Sequence, residues 1–430
     1  MAAPALVKAG AFAFRKRRES WGVEMATALM LLVCVASGPV EPLPRIAVRR
    51  TAGEPGAFYV RATGARFVPR GFNHTVLEDG HGWHATFNEG TYDAKAMDAT
   101  LAEMAALGAN VIRVWAWGVQ KEGGFTGGPD ARGLNAAYMA NFVDFLRRAT
   151  RHGIYVIPIL DEVPHNAYYD DVAADNAQVT GYNRQYLARG PIGAKKAAAA
   201  DFVRCVKEAD AGLLHTILGW ALANEAFVNH TEGPFCLTKG TVTTANGRTY
   251  DMADKDQRQA CYDEGIVHWA NELASAIKAV DPQALVTAGM WTADAHGREP
   301  YNGLMPDDRD ARRPPRPSVL AGPGCRLDFL DVHIYPWDGT SKVRGTAHER
   351  DAVIASGTPA IVGEYGVFKR NSIEEARAML GEMLEQAYAM GYAGDLHWIW
   401  DLRHVPGQTW SAVEEGLGQY VMQLPMANAK

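Results

Sequence analysis

The chain has 430 residues, 47% of them hydrophobic and 21% charged, with a formal net charge of -6. That is enough apolar material for a large core, and it excludes an intrinsically disordered chain. The acidic balance offers no basic face, so no nucleic-acid partner is expected.

Residues 1–40 read as a targeting segment. The basic run Arg15-Lys16-Arg17-Arg18 precedes an apolar run from Met25 to Ala36. That run is too short to span a bilayer as an ordinary helix and suits a signal-peptide core. Ala36, Ser37 and Gly38 provide small residues for cleavage, so secretion or a periplasmic location is expected. An uncleaved anchor, a lipoprotein box at Leu31-Leu32-Val33-Cys34 and a start at Met25 are the alternatives. Without Cys34, four cysteines remain: Cys205, Cys236, Cys261 and Cys325. In an exported chain they form disulfides or stay as buried thiols. A Cys236–Cys261 bridge is expected to pin one insertion, with Cys205 and Cys325 free.

No repeat of 20–50 residues is present, so residues 45–430 are expected to form one domain. Ala57–Arg61 and Arg66–Val68 flank Thr63-Gly64-Ala65 as a β-hairpin. Strand and helix patterns then alternate. Asp93–Leu107 has Met97, Leu101, Met104 and Leu107 on one helical stripe, ended by Gly108. Asn110–Trp115 is a strand, Asn135–His152 a helix ended by Gly153, and Ile154–Leu160 an apolar strand of the kind covered on both faces. Lys195–Glu208 is a helix before the strand Ile217–Leu222, and Gln257–Val280 a helix before Ala284–Met290. After the long connection Thr292–Arg326 come the strands Phe329–Tyr335, Ala360–Gly363 and Leu396–Trp400. Helices near Val343–Ser356 and Ile373–Met390 separate these three. Counted from Phe72, eight strand candidates in β–α order imply an α/β (β/α)8 barrel with long loop insertions. An open doubly wound sheet is the alternative, but no glycine-rich phosphate turn follows the first strand.

In such barrels the site lies at the carboxyl ends of the strands. The polar and aromatic residues there are Asn73-His74, Arg113, Trp115 and Trp117, Asp161-Glu162, Asn224-Glu225, Trp291, His333 and Tyr335, Glu364-Tyr365, and Trp398 and Trp400. Glu225 and Glu364 stand out because apolar runs deliver them to the ends of strands four and seven. A carboxyl pair facing across a barrel mouth suits glycosidic cleavage, where one group protonates the leaving oxygen and the other attacks the anomeric carbon. Arg113 is placed to keep Glu364 ionised and Tyr335 to donate to it. Asn224 suits a sugar 2-hydroxyl, and Trp398 the floor under the reacting sugar. Any one of these residues alone would read as structural; their occurrence together, in order, carries the argument.

These segments resemble clan A glycoside hydrolases, and most closely glycoside hydrolase family 5. The likeness covers roughly residues 57–402. It runs through Arg70-Gly71-Phe72-Asn73, Val111–Trp117, Trp220–Glu225, Asp331–Pro336, Val362–Gly366 and His397-Trp398. The resemblance implies a retaining mechanism with Glu225 as acid/base and Glu364 as nucleophile. It implies supporting roles for Arg113, Asn224, His333, Tyr335 and Trp398. Asn73, Trp117 and Trp400 are added as substrate-side candidates from their strand ends. The Arg113–Trp117 run most resembles β-mannanases, so β-mannan is favoured over β-glucan. One departure lies after strand three. Many members of the family carry His-Asn or Asn-Asn-Trp there, whereas this chain has Asp161-Glu162-Val163-Pro164, with His165-Asn166 displaced.

No cofactor, metal or obligate protein partner is expected; the expected partner is a polysaccharide or oligosaccharide. His74, His81 and His84 lack the helical His-Glu-x-x-His context of a zinc site. The connection Thr292–Arg326 is expected to wall one side of the cleft. A non-catalytic glycan-binding barrel and a metal-dependent barrel hydrolase are the competing readings.

Overall fold

In the computed structural model the apolar runs lie side by side as one parallel sheet. Residues 40–75, 84–117, 124–127, 130–169, 177–291, 311–336, 353–401 and 408–425 are described. The stretch expected to act in targeting, residues 1–40, lies outside the described residues apart from its last position. So do His81, residues 292–310 of the long connection and most of the helix expected near Val343–Ser356. Among the described residues no helix is long and apolar enough to cross a membrane.

The barrel strands are β1 (Arg70–His74), β2 (Val111–Trp115), β3 (Tyr155–Ile159), β4 (Trp220–Ala221), β5 (Val286–Thr287 and Gly289–Trp291), β6 (Leu330–Ile334), β7 (Ala360–Tyr365) and β8 (Asp395–His397). Each pairs in parallel with the next, and β8 returns to β1. The ring closes through β5, which is split at Ala288. Its first half pairs with β4 and its second half with β6. The expected eight-strand barrel is thus present. Every residue of β1, β2, β3 and β6 is buried, as parallel strands sheathed by helices require.

The helices α1 (Ala94–Ala106), α2 (Ala136–Arg151), α3 (Arg189–Ala209), α4 (Lys255–Val280), α5 (Pro317–Ala321), α6 (Ile373–Ala389) and α7 (Leu417–Gln423) follow in chain order. Asp93, Asn135 and Asp254 cap α1, α2 and α4 by accepting from first-turn N–H groups. Ser372 and Glu375 form a capping box on α6. Gly108, just past α1, holds φ +91°, a conformation that a side chain resists. Helix α3 begins earlier than the sequence pattern suggests. Pro191 lies in its first turn, where no backbone donor is needed.

An antiparallel sheet of Ile46–Arg49, Ala57–Val60 and Arg66–Phe67 closes the end of the barrel where the strands begin. Phe58 packs edge-on against Phe329 at 5.1 Å, and Phe67 against Tyr155 at 5.1 Å. At the same end Arg70 bonds Asp395 at 3.0 Å and donates to the carbonyls of Val421, Met422 and Leu424. That fastens α7 beneath the barrel.

The expected Cys236–Cys261 bridge is not formed. Cys236 and Cys261 are both free thiols. Cys261 lies on α4 and is fully buried in the core, whereas Cys236 is exposed in the preceding insertion. A bridge would need one of them to change environment. The described end of the long connection docks beside β4's loop: Arg312–Arg313 pairs with Val228–Asn229.

Candidate active site

Arg113, in the middle of β2, is the hub of the barrel mouth and is completely buried. Its Nε donates to Asp331 Oδ2 at 3.0 Å and its Nη1 to Glu364 Oε1 at 2.6 Å. The guanidinium also donates to Asn73 Oδ1 and Asn224 Oδ1, each at 3.1 Å. These partners come from β1, β6, β7 and the loop after β4. One rigid fork therefore sets the relative positions of four elements.

Asp331 is the residue that the sequence reading left without a role. The alternation Asp331-x-His333-x-Tyr335 puts all three on one face of β6, and that signal was readable. Space for Asp331 comes from Gly363. A Cβ there would sit 1.4 Å from Asp331 Oδ1, so the glycine ahead of Glu364 is a steric requirement.

Glu364, near the end of β7, is buried, and Tyr335 donates to its Oε2 at 2.7 Å. Burial raises its pKa above the ordinary carboxylate value, while His333 and Arg113 oppose the rise. Burial and the neighbouring Glu364 carboxylate push the Tyr335 phenol far up, so it remains a donor. Glu225 is more open, with its side chain 27% exposed against 4% for Glu364. His333 Nδ1 lies 3.0 Å from Glu225 Oε1 and 3.4 Å from Glu364 Oε2. Burial lowers the His333 pKa, but the Glu364 charge and bonds to Asp331 and Glu225 more than offset this and bring it to about 9. That would make the ring cationic at neutral pH. The Arg113 Nη2···His333 Nε2 contact of 3.2 Å argues otherwise, because a guanidinium N–H can face Nε2 only if that nitrogen is unprotonated. The direct contact is the stronger constraint. A neutral ring that accepts from Arg113 at Nε2 carries its proton on Nδ1 and donates to Glu225, whereas the Nε2···Asp331 Oδ1 contact of 3.5 Å becomes a hydrogen bond only in the cationic ring; Nδ1 bears a proton in both forms.

Glu225, His333 and Glu364 each offer an atom within 4.8 Å of the others, the reach of a metal triad. Here, however, both Glu364 oxygens already accept from Arg113 and Tyr335, and the His333 nitrogen facing the carboxylates bears the proton. The donor set reads as a hydrogen-bond network around two carboxyl groups.

Trp398 lies at this mouth, 9% exposed, with Trp115 edge-on at 5.6 Å. His84 stacks on Trp115 at 4.1 Å and an interplanar angle of 3°. His84 and Trp115 thus join the group that sequence reasoning centred on Trp398. Two expected substrate-side residues do not reach it. Trp117 is fully buried and stacks on Phe125 at 4.7 Å. Trp400 packs on Phe72 at 5.0 Å. Both indoles fill the layer between barrel and helices, which claims their large apolar area. Asn73 is near the site but beneath it; its Nδ2 donates to the Gly363 carbonyl at 2.8 Å. The Asn166 side chain is spent on the Thr126 and Gly133 carbonyls.

The sequence profile of the family described as Cellulase (glycosyl hydrolase family 5) matches residues 60–404. No curated protein sequence matches. Among solved structures, the chain is similar to the endo-1,4-β-mannanase from Rhizomucor miehei, with a TM-score of 0.59 and 18% identity over 87% of this chain and 97% of that one. It is similar to the endo-β-1,4-mannanase from Thermotoga petrophila, with a TM-score of 0.56 and 16% identity over 83% and 76%. It is also similar to the β-1,4-D-mannanase from Cryptopygus antarcticus, with a TM-score of 0.54 and 18% identity over 89% and 94%. At these identities the likeness is one of fold.

Proposed function

Because the chain belongs to glycosyl hydrolase family 5 and is therefore a glycoside hydrolase, we propose that it cleaves β-linked mannan, with β-glucan the second substrate, by double displacement with retention. The observation that carries this reading is the carboxyl pair. Oxygens of Glu225 and Glu364 lie within 4.8 Å of each other. Retaining enzymes hold their pair about 5–5.5 Å apart, whereas inverting ones leave about 6.5–9.5 Å for a water.

Glu364, oriented by Arg113 and Tyr335, attacks the anomeric carbon. Glu225 gives its proton to the departing oxygen, and a covalent glycosyl-enzyme forms. Glu225, now a carboxylate, takes a proton from water, and the resulting attack releases the sugar and frees Glu364. His333 Nδ1–H supports Glu225 in its charged state. Asn224 Oδ1 is held by Arg113, which leaves its amide N–H groups for a sugar hydroxyl. Trp398 with Trp115 supplies an apolar floor. The preference for mannan rests on the likeness of the Arg113–Trp117 run to β-mannanases. Export by residues 1–40 belongs to the same reading, since a polymer substrate lies outside the cell.

A reducing-sugar assay over mannan, glucomannan, β-glucan, carboxymethylcellulose and xylan tests the substrate; highest kcat/KM on mannan is expected. Proton NMR of the first product tests the mechanism. An inverted anomer would overturn it.

A further inference from the structure

Strand β4 has only two residues, yet it must deliver Asn224 and Glu225 to the mouth. Past its end, Leu222 N–H reaches the Thr287 carbonyl and Ala226 N–H the Gly289 carbonyl, both on the β5 side. Asn224 N–H is met by a side chain instead. Asp161, just past β3, accepts it through Oδ1 at 2.8 Å.

Asp161 is itself held from below. Lys195, on α3, is fully buried, and its Nζ donates to the Asp161 carbonyl oxygen at 2.6 Å. The ammonium also lies 5.5 Å from the centroid of the Trp269 ring on α4, a cation–π distance. The charges of Asp161 and Glu162 favour its protonated form, although burial lowers its pKa to about 8. A buried ammonium is costly. This one sits where it ties the helical layer to the backbone beside the acid/base. The column runs Trp269, Lys195, Asp161, Asn224.

We propose that Asp161 and Lys195 are positioning residues that fix the backbone of the Asn224-Glu225 segment and so aim the Glu225 carboxyl at the leaving oxygen. The proposal rests on the reading of Glu225 as acid/base. Its signature is therefore selective. Misaiming a general acid slows substrates whose leaving group needs a proton and spares those whose leaving group does not.

The experiment compares kcat and KM for β-mannan and for an aryl β-mannoside with an acidic phenol, in Asp161→Ala, Asp161→Asn, Lys195→Met and Glu225→Ala. Asp161→Ala and Lys195→Met should lose about 10- to 100-fold in kcat on mannan, a range typical of displaced catalytic groups, and several-fold less on the aryl substrate, with KM little changed. Asp161→Asn keeps an acceptor oxygen and should restore most of the loss. Equal losses on both substrates, or no loss in either variant, would overturn the pair. Should Asp161→Ala not fold, Lys195→Met against Asp161→Asn gives the same contrast. Glu225→Ala separates the two levels. If it shows no dependence on leaving group, the reading of Glu225 itself is wrong; if it does and the others do not, only the positioning pair fails.

Discussion

Replacing Arg113 by lysine keeps a positive charge but removes the fork. The guanidinium donates to Asp331, Glu364, Asn73 and Asn224 at 2.6–3.1 Å. An ammonium has three donors on one point. If it serves Asp331 and Glu364, the Asn73 and Asn224 oxygens lose their partner, at about 1–3 kcal/mol each where water does not replace it. Asn73 is fully buried and Asn224 only partly so, and a stability loss of about 2–4 kcal/mol is expected. The kinetic loss should be larger. Glu364 would lose a fixed donor at its reacting carboxylate, and removal of one such preorganised donor costs about 10²–10³ in kcat. Initial rates on β-mannan at the wild-type optimum, with a thermal melt of the same sample, measure both quantities. A variant with kcat within about 3-fold of wild type would refute the claim that the fork positions the nucleophile.

Glu225→Ala should fail on mannan, keep part of its rate on an aryl glycoside with an acidic leaving group and regain turnover with azide, while Glu364→Ala should be inactive on both substrates; stopped assays with and without azide distinguish them. Gly363→Ala should destabilise by about 3–5 kcal/mol, because its Cβ would displace Asp331 from Arg113 and break a buried ion pair; a melting curve with little change from wild type would contradict this. The acid limb of the pH–kcat/KM profile should lie above the ordinary carboxylate value of 4.5, since burial raises the pKa of Glu364 and its protonation then persists to higher pH; a limb at or below 4.5 in the profile would count against Glu364 as the ionised nucleophile.

Much of this was legible in the chain. Near-continuous apolar runs marked the parallel strands, and β–α alternation gave the barrel. The Asn224-Glu225 and Gly363-Glu364 pairs stood at strand ends, where a barrel gathers its polar groups. The split of β5 was not legible, because a continuous apolar run such as Ala284–Met290 does not say which neighbour each half will pair with. Trp117 and Trp400 were misplaced for a related reason. Past the last paired residue, period-two alternation no longer tells which way an indole points, and tertiary packing against Phe125 and Phe72 decides it. The acceptor role of Asp161 was hidden because it serves a backbone N–H, which every non-proline residue has and no sequence pattern marks. The free Cys236 and Cys261 reflect the same limit: proximity in sequence does not fix which face of α4 a side chain occupies.

The sheet over the lower barrel opening has a practical side. Tyr155 Oη donates to the Pro44 carbonyl at 2.6 Å, and Arg70 grips the carbonyls around α7, so the stretches nearest both ends of the described chain are moored at the pole opposite the carboxyl pair. A carrier, tag or surface linker joined beside Pro44 or Leu424 would start from the pole away from that pair. The face that bears Glu225 and Glu364 would then stay turned away from the support.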